Sequence, residues 1–276
     1  MNGNVRYVIT GQITTMTGLH IGSGWSDPRT DATIVKDLEN RPFIPGSSLK
    51  GALRSAVEQL AGSIPGVSSC QLSDTSGVRC ISTDRDWQQE YNERRERATE
   101  EELLAYLEGK VCDTCLLFGS PVLASKLIVS DLPMVTGDNT TEIRHGVGID
   151  RDTETAREGV KFDFETVPSQ RVFALEMILD NPTDTDLGLL AAGLREMELG
   201  MIPLGGSSSR GVGRCRLEIR RIVEIDLGSR AGLRGYLLES ELPSPDQPPR
   251  IAGDEQDVPA FIRDCIDRLL GVEPAE

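Results

Sequence analysis

Four of the chain's six cysteines, Cys70, Cys80, Cys112 and Cys115, fall within one polar stretch. Cys112 and Cys115 form a C-x2-C pair, and four thiolates can enclose a zinc ion tetrahedrally. The interval from Cys80 to Cys112 is long for a zinc motif. A polar stretch without a core of its own nonetheless gains from a metal staple, which favours structural zinc over buried free thiols. Disulfides are not expected in an intracellular protein, and Cys215 and Cys265 read as packed residues.

A second group of residues suits phosphate. In RPFIPGSSLKGALR, Arg41–Arg54, two prolines and Gly46 set up a helix start that Ser47 or Ser48 can cap, with Lys50 and Arg54 on one face. Free N–H groups, hydroxyls and cations together favour phosphate oxygens. Taken alone, the stretch reads slightly better as an ordinary capped helix with solvated basic residues. A third group is LGGSSSRGVGR, Leu204–Arg214, in which Gly205, Gly206, Ser207, Gly211 and Gly213 allow close backbone approach while Arg210 and Arg214 bring charge. Taken alone, this one reads equally as a flexible turn. Only two histidines occur, His20 and His145, a scarcity that argues against a histidine-dependent nuclease.

The elements that must position these residues follow from periodicity. Residues 4–17 read as a first strand, and Leu49–Ala61 has the apolar spacing of a helix face. Lys126–Leu132 and Arg171–Asp180 read as strands, and a helix over 186–200 is capped by Asp184 or Thr185. Arg214–Asp226 is the last strand. Strand, helix, strand, strand, helix, strand is an α+β, ferredoxin-like order, the topology of an RNA recognition motif. Aromatic residues make up 4% of the chain and no stacking motif lies on the strands, so any RNA is held by its backbone and by loops. The domain spans 1–226, with a zinc-binding insertion at 63–125 and a protruding thumb hairpin at 133–160. In the insertion, Asp84–Glu108 reads as a solvated helix with Leu103, Leu104 and Leu107 packing at its end. Residues 227–276, proline-rich around 243–249, read as a peripheral segment with one helix at Pro259–Leu270.

The net charge of −15 argues against a protein that coats nucleic acid. The charge is uneven, however: residues 207–221 hold five arginines against one glutamate. Basic islands in an acidic chain fit local contact with nucleic acid inside an assembly. No apolar run approaches the roughly 18 residues of a membrane span, and a soluble, cytoplasmic protein with no membrane partner is expected.

Five pieces in order resemble the RAMP superfamily of CRISPR systems: GLHIGSG at 18–24, VKD at 35–37, RPFIPGSSLKGALR, CDTCLLFGS at 112–120 and IPLGGSSSRGVGR at 202–214. The likeness is to backbone subunits of type III effector complexes, of the III-A or III-D kind. It implies a filament along a guide CRISPR RNA, a thumb that kinks the guide–target duplex, and neighbours that are other RAMP subunits and a large subunit. It implies that Ser47, Ser48, Lys50, Arg54 and the glycine-rich loop grip the guide. It further implies target RNA cleavage by a loop aspartate, here Asp31 with Asp27 as a rival, aided by magnesium or another divalent cation. One rival is a purely structural filament subunit in which Asp31 is inert; another is a stand-alone guide-processing endoribonuclease, which shares the fold and the glycine-rich loop but against which the shortage of histidines, the zinc insertion and the thumb weigh. A metal-stapled scaffold that binds no RNA is a rival outside the family.

Overall fold

The computed structural model describes residues 4–28, 30–72, 76–150, 152, 155–241 and 250–272. The chain opens with β1 (Val5–Thr15), followed after a long loop by β2 (Phe43–Ile44) and α1 (Gly46–Ala61). Three helices come next, α2 (Arg85–Arg95), α3 (Glu100–Leu107) and α4 (Asp113–Phe118). Then come β3 (Leu127–Val129), β4 (Leu132–Thr136), β5 (Glu142–Ile149), β6 (Ala156–Thr166) and β7 (Val172–Asp180). The last elements are α5 (Asp184–Glu198), β8 (Cys215–Asp226), α6 (Arg230–Glu239), β9 (Asp254–Gln256) and α7 (Val258–Leu270).

The protein is α+β, built on an antiparallel sheet. Across that sheet the order is β2–β4–β7–β1–β8–β9, with β3 also paired to β7. β1 lies at the centre because its β-branched residues pack on both faces. Ile9 and Ile13 enter the main core, while Val8 joins Val223 and Ile225 on the opposite face. A bulge opposite Thr10 and Gly11 shifts the register with β8, so alternation along β8 changes face beyond Ile219.

α1 and α5 cover one face of the sheet. Leu49, Leu53 and Val57 of α1 meet Leu190, Leu194 and Met197 of α5 in a single apolar cluster. Gly193 permits the approach, since a Cβ there would lie 2.8 Å from Val57 Cγ2. Thr183, one residue before the expected caps, closes a capping box with Asp186 at the start of α5. α7, from the segment read as peripheral, packs on α5 and puts Ile262 and Cys265 into the main core. The proline-rich stretch at 243–249 lies outside the described residues.

Three local expectations change. The insertion forms two capped helices, α2 and α3, where one was expected, and it has a small core of Ile81, Tyr106 and Leu107 against Trp87 and Tyr91. Leu104, expected to pack, is exposed because the helical turn aims Tyr106 and Leu107 inward instead. The hairpin is β5 paired with β6, a two-stranded ribbon over Glu142–Thr166, whereas residues 133–136 belong to β4 and pair with β7.

Leu53→Ala should lower the unfolding free energy by about 2–5 kcal/mol in chemical denaturation, because a fully buried side chain leaves a cavity. Leu104→Ala, at an exposed position, should change it by less than about 0.5 kcal/mol.

Candidate functional site

Four stretches singled out in the sequence meet around the carboxylate of Glu165 on β6. Its Oε1 accepts from Lys36 Nζ at 2.7 Å and from Thr141 Oγ1 at 2.6 Å, and its Oε2 accepts from the Ile34 N–H at 3.0 Å. Burial works to raise the Glu165 pKa, but these three donors, Lys36 foremost, hold it below the ordinary carboxylate value. The backbone carbonyl of Glu165 lies 2.6 Å from His20 Nδ1, and the His20 ring sits edge-on to Phe164 at 5.4 Å. In VKD, therefore, Lys36 fastens the loop to the ribbon. Asp37 makes the following turn by accepting from the N–H groups of Glu39 and Arg41.

The glycine-rich loop docks on the same place. Gly206 N–H donates to His20 O at 2.8 Å, and Gly213 N–H donates to Gly18 O at 2.8 Å. Gly205 has φ +75°, and a Cβ there would lie 2.1 Å from His20 O, so only glycine fits. Residues 208–211 form an exposed crest. Arg210 stacks its guanidinium over Phe162 of β6 at 5.0 Å, and Arg214 is exposed at the end of the crest. Ser207 takes a left-handed conformation, φ 60°, which turns the chain into that crest.

Asp31 lies along the outer edge of β6. Its N–H donates to Asp163 O at 3.1 Å, and its Oδ2 accepts from Asp163 N–H at 2.9 Å. The carboxylate is exposed, and its second oxygen has no partner among the described residues. Asp27, the rival, turns back on its own loop, where Oδ1 accepts from Thr30 N–H at 2.9 Å. Across β6 from Asp31, His145 Nδ1 lies 2.6 Å from Asp163 Oδ1. Sequence reading missed Asp163 and Glu165, because the loop partners that reveal them, Asp31, Ile34 and Lys36, lie more than a hundred residues away.

The helix start at Gly46 is organised differently from expectation. Pro45 is the cap residue, neither serine caps, and Asp131 Oδ1 accepts the Gly46 N–H at 2.8 Å. A carboxylate of the chain itself thus sits at the positive end of α1. Ser47 is exposed and Ser48 half-buried. Lys50 Nζ donates to Leu127 O at 2.9 Å, and burial lowers its pKa, with Arg54 adding to the effect. Arg54 donates to Glu58 Oε1 at 2.8 Å, Gly119 O at 2.9 Å and Cys115 Sγ at 3.2 Å. Among the described residues, no hydrogen bond or ion pair joins the start of α1 to the glycine-rich crest.

Cys70, Cys80, Cys112 and Cys115 are buried, with their sulfurs all within 4.8 Å of one another. Tetrahedral thiolates around one zinc ion stand about 3.8 Å apart, given metal–sulfur bonds near 2.3 Å. The Cys70–Cys115 separation is 3.6 Å, so this donor set can hold a metal of that kind. Burial pushes the Cys70 thiol up to about 12, while hydrogen bonds from Cys112 and Cys115 pull Cys80 down. Among the described residues no other group of His, Cys, Asp or Glu is close enough to hold a metal by side chains alone. No described helix is long and apolar enough to cross a membrane.

Glu165→Gln should destabilise the protein at neutral pH and loosen residues 30–37 in hydrogen exchange. A carboxylate with a depressed folded pKa contributes stability above its unfolded value, and that contribution is lost as pH falls through the folded value. Wild type should therefore lose stability as pH drops below the ordinary 4.5, and the variant should lose less. Identical acid profiles by denaturation would show that Glu165 does not hold the site.

Comparison with known proteins bears on these same stretches. The chain is 27% identical over 225 residues to the CRISPR system Cms endoribonuclease Csm3 of Streptococcus thermophilus, covering 75% of this chain and 84% of that protein. It is 26% identical over 222 residues to the protein of that name from Methanothermobacter thermautotrophicus, covering 79% and 86% respectively. Over 62 residues it is 45% identical to the Enterococcus italicus protein of the same name, 21% of this chain and 29% of that one. A profile of the RAMP superfamily matches residues 12–216. That match begins in β1, takes in the Asp31 loop, the cysteine cluster, the ribbon and the glycine-rich crest, and ends in β8: the chain belongs to the RAMP superfamily.

Proposed function

We propose that this chain is a backbone subunit of a type III CRISPR ribonucleoprotein that binds guide RNA and cleaves complementary target RNA at regular intervals with Asp31. The observation that carries the reading is the meeting of the Asp31 loop, the β5–β6 ribbon and the basic glycine-rich crest around Glu165. The relatives, named as CRISPR endoribonucleases, support both the system and the reaction. The sheet supports a ferredoxin-like core. β8, β1, β7 and β3 lie in that order and antiparallel, with α1 following β1 and α5 joining β7 to β8.

Each part has a task in this reading. The crest, through its backbone and through Arg210 and Arg214, holds guide phosphates, with Ser47 and Ser48 adding hydroxyls. Lys50 and Arg54 brace α1 from within, given their internal partners. The ribbon is the thumb. Ile143 and Val147 are exposed apolar side chains on one face of β5 and suit insertion between bases. Neighbouring RAMP subunits and a large subunit are the protein partners, and the setting is the cytoplasm.

Asp31 orients a 2′-hydroxyl for in-line attack on the adjacent phosphate. A bound magnesium ion would neutralise phosphate charge, drawing its other ligands from RNA oxygens and water, since few side chains converge beside Asp31. The four cysteines hold a structural zinc ion that ties residues 70–80 of the insertion to the start of α4.

Asp31→Ala in the reconstituted complex should abolish cleavage at the regularly spaced positions, leave guide and target binding intact, and differ from Asp27→Ala, which should still cut. Unchanged cleavage by Asp31→Ala would make the subunit a scaffold. Elemental analysis should find zinc in the purified protein, and Cys80→Ser should lower its content and expose residues 76–123 to protease. A metal-free protein with an equally protected insertion would contradict the zinc assignment.

A further inference from the structure

The ribbon carries a histidine that the reaction above does not use. His145 on β5 stands directly opposite Asp163 on β6 in the strand register. Its Nδ1 lies 2.6 Å from Asp163 Oδ1, so the carboxylate holds the ring through Nδ1 and leaves Nε2 without a hydrogen-bond partner among the described residues. The His145 side chain is 63% exposed and that of Asp163 only 23%, which places the orienting group beneath an accessible ring. On its far edge the Asp163 backbone is bonded in both directions to Asp31. His145, Asp163 and Asp31 therefore form a row across three adjacent chain segments. At a strand spacing of about 4.8 Å, the two ends of the row are roughly 10 Å apart at the backbone, a gap two side chains can close around one phosphodiester.

We infer that His145 is the general acid of the cleavage reaction, positioned by Asp163 on the opposite side of the scissile phosphate from Asp31. This rests on the cleavage function proposed above. In the step, the 2′-hydroxyl passes its proton to the Asp31 carboxylate while its oxygen bonds to phosphorus. The bond from phosphorus to the 5′-oxygen breaks, and that oxygen takes the proton from His145 Nε2. The products are a 2′,3′-cyclic phosphate and a 5′-hydroxyl, so atoms and charge balance. A histidine suits the acid role because an imidazole side chain in general can carry and give up a proton near neutral pH. Lys161, whose ammonium is 3.9 Å from Asp163 Oδ2, stands farther from the carboxylate than the ring does.

The test is single-turnover cleavage by the assembled complex of two targets: ordinary RNA, and RNA with sulfur in place of the 5′-oxygen at the cleavage site. A thiolate leaves without needing a proton. His145→Ala should slow the ordinary target by about 100-fold or more, with target binding unchanged, and should cut the sulfur target as fast as wild type. Asp163→Asn should show a smaller loss that the sulfur target also relieves, a pattern that a merely structural role would not produce. Lys161→Ala should match wild type on both targets. Equal slowing of His145→Ala on both targets, or no slowing on ordinary RNA, overturns the acid role while leaving the cleavage reading in place. If wild type cuts neither target, or Asp31→Ala cuts both normally, the cleavage reading fails and the role of His145 falls with it.

Discussion

A buried carboxylate sets the form of the site. Glu165 sits on the ribbon strand, is only 7% exposed, and would be costly to hold charged without partners. Lys36, Thr141 and the Ile34 N–H supply those partners from both sides of the hairpin base. Breaking one partner of such a cluster leaves charge buried, so the geometry has little freedom to drift. Because the same residue's carbonyl meets His20, and His20's own carbonyl receives Gly206, the ribbon, the loop after β1 and the crest form one connected unit. The exposed groups, Asp31, His145, Arg210 and Arg214, sit around this braced base.

The cysteine cluster is a second fixed point, on another part of the molecule. Arg54 connects it to α1 by donating to Cys115 Sγ, Gly119 O and Glu58 together. One guanidinium thus joins the core helix to the insertion, a task its planar fork performs better than a lysine could. Asp131 at the positive end of α1 completes that helix from within the chain. Lys50 and Arg54 of α1 are turned to internal carbonyls, whereas Arg210 and Arg214 of the crest are exposed.

Strands and helices were readable because their signals are local. Alternation along β7 and β8 and the 3.6-residue stripe from Leu49 to Ala61 place the sheet and α1 to within a few residues. The four cysteines were readable because thiolate chemistry leaves few alternatives, and their sulfurs do come together. What could not be read depends on distant partners. Nothing near Glu165 in sequence announces Lys36, and nothing near Gly46 announces Asp131. Polar composition marks 133–160 as a loop but does not say which strand pairs with which, and Met134 pairs with Phe173 of β7. The helix at Pro259–Leu270 is legible in the sequence, but its place in the core is not, because its apolar residues gain meaning only once α5 lies beside them.

The crest and ribbon, braced through Glu165, form the proposed RNA-contacting surface. The most direct measurement is photo-crosslinking of the assembled complex with 4-thiouridine placed along the guide and the target, followed by mass spectrometry of the attached peptides. Crosslinks from the guide to residues 205–214 and from the target to residues 142–166 are the predicted result. Crosslinks confined to α6 and α7, with none on the crest or ribbon, would contradict the account.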